Sequence, residues 1–195
     1  INKNNFTFET LKFYKEAFPN AHLILSTWHF DIALHNKIVS LGVEVIINEK
    51  PQNLGPFNIN LQLVSSRNGI IAAKEQNCTH ALKVRTDQRI YNCSTLNYLK
   101  SLIECFPLKH NSTIQKERLV GISLDSHRKK YYGLSDMFLY GNVDDMLLYW
   151  GCKLDLRSNS QTFKSRKSIS EEEFAYQKLG GTYLFTNFME TLGLK

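Results

Sequence analysis

The chain has 195 residues, of which 43% are hydrophobic and 22% are charged. This is the composition of a folded protein and excludes a mostly disordered one. No run approaches the roughly 18 apolar residues of a membrane-spanning helix, and no signal segment opens the sequence. The net charge of +6 indicates anionic partners such as phosphates, nucleic acid or a lipid surface, although solvated surface lysines explain it equally well.

The cysteines and histidines give no sign of a metal site. The four cysteines form no CxxC pair, and the six histidines form no pair at ligand spacing. We interpret the cysteines as free thiols in a reducing compartment, which favours a cytoplasmic location. The absence of a GxGxxG, a P-loop and a GxSxG motif argues against a Rossmann dehydrogenase, a kinase-like NTPase and a serine hydrolase.

Apolar periodicity and turn residues predict the elements in order. Thr7 can cap a first helix that runs to Ala17, and Gly42 is a natural left-handed end for the second. The pattern predicts helices over 7–17, 31–41, 58–76, 94–105, 143–150, 171–179 and 182–192. It predicts strands over 21–28, 43–47, 81–84, 119–124 and 137–141.

Strands and helices alternate as far as residue 106, which predicts an α/β fold. We expect one domain over 1–195, with three layers and a mostly parallel sheet flanked by helices. The polar, basic stretch 151–168 is predicted to be a mobile loop. Because the first element is a helix and the chain begins at Ile1, we expect a truncated N-terminus whose missing segment holds the first strand.

The densest polar cluster follows the predicted strand 81–84. Asp87 lies between Arg85 and Arg89, where ligands bind in parallel α/β sheets. Asp87 could bind a divalent cation or a sugar hydroxyl, and the two arginines could neutralise a diphosphate. A salt bridge at a strand end is the structural alternative.

Three further groups could carry chemistry. Amides and hydroxyls on the helix 58–76, among them Asn60 and Gln62, suit recognition of a base or sugar, although a solvated helix face explains them as well. Asp136, in an otherwise apolar stretch, is either paired or a general base facing a cleft. The acids at 171–173 suit a helix start capped by Ser170, and one of them could face the site.

Five segments resemble the WavE lipopolysaccharide-synthesis family, whose members look like glycosyltransferases with a GT-A-like fold. The most specific is Leu-Lys-Val-Arg-Thr-Asp-Gln-Arg at 82–89, which matches the family's L-K-x-R-T-D-x-R strand end. The others are 18–28, with its Leu-Ser-Thr-Trp end, the Asn-x-Asn-x-Gln helix at 58–67, the Ser-Asp-x-Phe at 135–138, and 170–174. The resemblance covers roughly residues 6 to 180.

The resemblance implies transfer of a sugar from a nucleotide-sugar donor to a lipopolysaccharide or other surface-glycan acceptor. GT-A enzymes hold a metal with a D-x-D motif, and the matching position here reads Arg85-Thr86-Asp87. Asp87 therefore either holds Mn²⁺ or Mg²⁺ on the donor, or leaves part of that role to the arginines.

The site prediction combines the pattern with the resemblance. Asp136 is the first candidate for the catalytic base and Glu172 the second. Donor binding is assigned to five residues: Arg85, Asp87, Arg89, Asn60 and Gln62.

Two rival functions remain at the level of sequence. The first is a non-catalytic nucleotide- or glycan-binding domain, which would keep the arginines without turnover. The second is nucleic-acid binding, which only the charge and the basic patch 127–132 support. We expect no nucleic-acid partner, and we expect a cytoplasmic enzyme in peripheral contact with anionic lipid at the inner membrane face, where basic residues could dock a lipid-linked acceptor.

Overall fold

A computed structural model describes residues 5–109, 114–124, 126, 131–157 and 169–194. Its helices are α1 (Phe6–Ala17), α2 (Ile32–Ser40), α3 (Ile59–Glu75), α4 (Thr95–Cys105), α5 (Val143–Trp150), α6 (Glu171–Tyr176) and α7 (Gly181–Thr191). Its strands are β1 (Ile24–Thr27), β2 (Glu44–Ile47), β3 (His80–Lys83), β4 (Val120–Gly121) and β5 (Leu139–Asn142). A 3-10 turn, Pro56–Asn58, precedes α3.

The sheet topology differs from the predicted one. Strands β1 and β2 form a two-stranded parallel sheet, and β3, β5 and β4 form a separate three-stranded sheet that is antiparallel. The prediction of a three-layer, mostly parallel GT-A-like sheet is therefore wrong. The alternation of strands and helices in the sequence does not determine which strands pair with each other. Here β3 pairs with β5, which lies far along the chain, and it does not join β1 and β2 in a parallel sheet.

The largest part of the core lies between α3, α5 and α7. Leu63 of α3, Met146 of α5 and Leu184 of α7 are buried there with Leu139 of β5. Ile24 of β1 and Ala81 of β3 pack against the same cluster. Helix α3 therefore carries one core that touches both sheets, with a smaller cluster around Ile38 beneath α1 and α2.

The helix ends follow their local sequence. Ser170 and Glu173 form a capping box at the start of α6, so the predicted cap is confirmed. Gly42 has a φ of 72° and its N–H donates to Val39, which confirms the left-handed end of α2. The cap predicted at Thr7 is wrong, because α1 begins at Phe6 and the buried Thr7 hydroxyl donates to the carbonyl of Thr86.

The chain after α5 is held to α3 over its described part. Asp155 is buried, and its backbone N–H and carbonyl both bond the Asn60 side chain, at 2.8 Å each. Arg157 pairs with the Asp155 carboxylate and donates to the carbonyls of Gln177 and Lys178. Residues 158–168, which make up most of the predicted mobile loop, lie outside the described residues.

Two adjacent acids at the start of α5 provide a stability test. The Asp145 carboxylate is fully buried and accepts the backbone N–H groups of Lys116 (2.9 Å) and Glu117 (2.8 Å). Asp145→Ala should lower the free energy of unfolding by about 2–3 kcal/mol, because two N–H groups lose their acceptor in a buried place. Urea denaturation at neutral pH measures the change.

Asp144 is the matched control. Its carboxylate lies at the surface and pairs with Lys74 and Lys116. Since exposed ion pairs are weak, Asp144→Ala should cost no more than about 1 kcal/mol. Equal losses in the two variants would contradict the inference that the buried Asp145 carboxylate fixes the backbone at residues 116–117.

Candidate functional site

The candidate site lies where β3 ends. Lys83 is the last residue of β3, and the backbone turns directly after it, with the N–H of Gln88 donating to the carbonyl of Arg85 at 3.1 Å. Strand β3 pairs with β5, with Lys83 opposite Leu139, so the segment just before β5 lies beside the end of β3. That segment contains Asp136.

The backbone of Asp136 is fixed from two sides. Its carbonyl oxygen accepts a hydrogen bond from the Gln62 amide of α3 at 2.9 Å and another from the Lys83 ammonium. Ser135 is buried, and its N–H donates to the Ser126 hydroxyl at 2.7 Å. Gly181 packs so closely that a methyl group there would overlap the carbonyl oxygen of Leu134. The main chain that carries Asp136 therefore has little freedom.

The side chain of Asp136, in contrast to its backbone, is not held by hydrogen bonds from the described residues. It is half-buried, and no hydrogen bond or ion pair within the described part of the chain engages its carboxylate. A carboxylate that is held in place by its backbone while its oxygens stay available can accept a proton from a bound hydroxyl. This is the arrangement that a general base requires.

The Lys83 ammonium lies in an unusual setting for a lysine. Its Nζ is 4.8 Å from the ring centroid of Trp150, which is fully buried. Burial lowers the pKa of Lys83 to about 8, against the opposing pull of the Asp136 charge. The sequence patterns did not single out Lys83 as a candidate site residue, although it lies inside the segment 82–89.

Two more polar atoms lie buried on α5 beneath this cluster. The Tyr149 hydroxyl and the Trp150 indole N–H have no hydrogen-bond partner among the described residues. Burial, and after it the Asp136 charge, raise the pKa of Tyr149. Both residues follow the apolar pattern of a core helix, so no signal in the sequence separates them from ordinary core residues.

Arg85 and Asp87 form a pair at the surface. The guanidinium donates two bonds to the carboxylate, Nε to Oδ1 at 2.9 Å and Nη2 to Oδ2 at 2.8 Å. The hydrogen bond from Arg85 lowers the pKa of Asp87, and the same bond raises the pKa of Arg85. Since about half of each side chain is exposed, the pair contributes little to stability and can open at low cost.

The remaining predicted residues point elsewhere. Arg89 packs against α1, where its Nε donates to the Thr10 hydroxyl at 3.0 Å and its guanidinium covers the Phe6 ring at 4.6 Å. Both amide hydrogens of the buried Asn60 go to backbone carbonyls, those of Asn53 and Asp155. Glu172 is exposed in the first turn of α6, and no described contact joins it to Lys83 or Asp136.

The described residues contain no group of three or more His, Cys, Asp and Glu side chains that could hold a metal ion. Asp87 has both oxygens occupied by Arg85, so it could meet a cation only after that pair opened. Mg²⁺ can bind through one or two carboxylates together with substrate phosphates. A cation on Asp87 therefore stays a prediction, and the chemistry below is derived without it.

The model of one protein family, described as WavE lipopolysaccharide synthesis, matches residues 2–179. The chain belongs to the WavE family. This confirms the predicted resemblance and connects the chain with lipopolysaccharide synthesis. No curated protein and no solved structure matches the chain. Three segments inside the WavE match, Asn-x-Asn-x-Gln, Leu-Lys-x-Arg-Thr-Asp and Ser-Asp-x-Phe, contain Gln62, Lys83 and Asp136 respectively, and the fold brings these three residues together. No helix in the described part of this WavE chain is long and apolar enough to cross a membrane.

The contacts of Asn60 predict an effect on folding. Asn60→Ala should lower the free energy of unfolding by about 3 kcal/mol, because it leaves two carbonyls and one N–H without partners in a buried place. Thermal or urea unfolding measures this. Asn58→Gly is the control, since Asn58 is exposed, makes no side-chain cap and has a φ of 62°, which glycine adopts freely. Unchanged stability of Asn60→Ala together with lost donor binding would instead support the donor-binding role that the sequence predicts.

Proposed function

We propose that this protein is a glycosyltransferase, which moves a sugar from a nucleotide-sugar donor to a lipopolysaccharide or another surface glycan. The observation that carries the proposal is the carboxylate of Asp136, which has no described partner and is fixed through its own backbone carbonyl by Gln62 and Lys83. Membership of a lipopolysaccharide-synthesis family supports a glycan as the substrate.

Asp136 is the proposed base. In an in-line displacement at the anomeric carbon, the acceptor hydroxyl attacks, its proton passes to a carboxylate oxygen, and the nucleoside diphosphate leaves. Asp136 suits this step because its main chain is held by Gln62 and Lys83 while no described partner engages its carboxylate oxygens. Glu172 is the second candidate, and it requires that α6 contribute to the acceptor side.

The proposed donor site lies at the Arg85–Asp87 pair. A diphosphate offers the guanidinium the same bidentate acceptor geometry as the Asp87 carboxylate does. Exchange of one acceptor for the other costs little at an exposed pair. Gln62 lies one hydrogen bond from Asp136 and extends the donor site onto α3. Arg89 is proposed as a second phosphate contact after release from Thr10 and Phe6.

The place of action is also a proposal. The four cysteines, Cys78, Cys93, Cys105 and Cys152, are free thiols, which suits a reducing compartment. We place the enzyme in the cytoplasm, in peripheral contact with the inner membrane face, where lipid-linked acceptors are held. The basic residues that would face anionic lipid include Lys153, which is exposed.

A donor screen tests the first half of the proposal. Thermal unfolding with nucleoside diphosphates and nucleotide sugars should give a shift for one base, because a ligand at about 100 times its Kd adds about 2.7 kcal/mol. The screen is run with Mn²⁺, with Mg²⁺ and with a chelator. Asp87→Ala should remove any metal-dependent part of the shift and keep the metal-free part, since the substitution frees Arg85. A metal-dependent shift that survives in Asp87→Ala would contradict the predicted role of Asp87 with a cation.

Transfer assays on two carboxylate variants test the second half. Asp136→Asn should lower kcat by about 10²–10⁴-fold and leave the donor Kd unchanged within a few-fold, because the amide keeps the shape but cannot take the proton. Glu172→Gln should retain activity. The reverse result would make Glu172 the base. Donor binding without turnover of any nucleotide sugar in wild type would instead support the non-catalytic binding domain.

A further inference from the structure

Lys83 has no role in the donor and base assignments made so far, apart from holding a carbonyl. We infer that the Lys83 ammonium is an anion-binding group of this site and contacts a phosphate of a diphosphate-bearing ligand. The inference deepens the proposed function, since that ligand would be the nucleotide-sugar donor. It assigns the half-buried cation of the site to the phosphates and leaves the exposed Arg85 as a second contact.

The geometry leaves part of the ammonium available. A lysine ammonium has three N–H groups. One donates to the Asp136 carbonyl, and the Trp150 ring, 4.8 Å away, faces the charge without accepting a full hydrogen bond. Within the described part of the chain no carboxylate forms an ion pair with Lys83. A half-buried cation whose direct neighbours are a neutral carbonyl and an aromatic face, with no carboxylate in ion-pair contact, lacks a direct counter-charge, which a bound anion would supply.

The charges around Lys83 are few and can be named. Asp136, in the segment before β5, and Asp87, after β3, favour the ammonium, while Arg85 disfavours it. The neighbours from the helices, Gln62 of α3 and Trp150 of α5, are neutral. Burial outweighs the two carboxylates, so the pKa of Lys83 falls to about 8. A diphosphate beside Nζ would raise that pKa again, because it favours the charged form.

The alternative is that Lys83 only fastens the segment 135–137 to β3. A fastening lysine would matter for stability, but its removal would not weaken the binding of a small anion to the folded protein. Its ionisation would also be unaffected by that anion. These two differences distinguish an anion-binding role of Lys83 from a purely structural one.

The binding test uses inorganic pyrophosphate, which every nucleoside diphosphate resembles at its charged end. Calorimetry in a chelator at pH 7 should show that Lys83→Met weakens pyrophosphate binding by roughly tenfold or more, as expected for loss of a charged hydrogen bond. Lys100→Met is the control, because it removes the same charge from an exposed lysine of α4 that pairs loosely with Glu104 at 3.9 Å. Equal affinity in wild type and Lys83→Met, or no binding to wild type at low-millimolar pyrophosphate, would overturn the inference.

A second measurement works on the intact site. In protein labelled with ¹³C-lysine, the Cε resonance that disappears in Lys83→Arg reports Lys83. Without ligand it should titrate with a midpoint near 8, and saturating pyrophosphate should move the midpoint up by about one pH unit or more. Pyrophosphate affinity should correspondingly fall as the pH rises above about 8, because the neutral amine no longer attracts the anion, and this fall should be absent in Lys83→Met. A midpoint that does not move would overturn the inference even if Lys83→Met failed to fold.

The outcomes also separate this inference from the proposed function. Pyrophosphate binding that depends on Lys83, without turnover of any nucleotide sugar, would keep the anion site and reject the glycosyltransferase. If the protein transfers sugar and the Lys83→Met substitution leaves its donor affinity unchanged, the glycosyltransferase proposal stands and the anion-binding role of Lys83 is rejected.

Discussion

Helix α3 is the constraint on which the rest of this structure depends. Its apolar side packs into one core with α5 and α7 and touches both β1 and β3, so it joins a parallel and an antiparallel sheet that share no strand. Two amides near its start reach in different directions. Asn60 holds the chain after α5, and Gln62 holds the backbone of Asp136. The position of the candidate base, Asp136, therefore depends on how α3 packs into the core.

The polar residues near the site fall into two kinds. Asn60 and Asp145 are buried and have their side-chain groups occupied by backbone atoms, and the buried Asp155 carboxylate is paired with Arg157, since buried polar groups generally need partners. Asp136 and the Arg85–Asp87 pair are accessible and keep groups that a ligand can use. The first kind gives the site a rigid frame at the end of β3, and the second kind gives it chemistry.

Lys83 belongs to neither kind, because it is largely enclosed and yet incompletely paired. Enclosing a cation costs free energy unless other groups compensate the charge. The chain supplies a carbonyl oxygen, an indole face and the charge of Asp136, and these do not fully restore the ordinary pKa of a lysine. Such residual cost is common where a protein prepares a place for charge that a ligand brings.

The sequence by itself determined the local structure well. Apolar periodicity located the helices, Ser170 and Gly42 marked their ends, and the family segments pointed to the residues around Lys83 and Asp136. Those features depend on neighbours in the chain, and their physical causes can be found in a short window. Residue type was enough to nominate Arg85, Asp87 and Asp136 as chemically able groups.

Only the tertiary structure decided which of those residues meet. Strand pairing is a long-range choice, and β3 pairs with β5 instead of extending the parallel sheet, which is why the predicted fold was wrong. The same pairing puts Asp136 beside Lys83, although 53 residues separate them. It also leaves Arg89 on α1 and Asn60 under the chain after α5. A side chain's partners depend on how the core closes, and a local pattern carries no information about that closure.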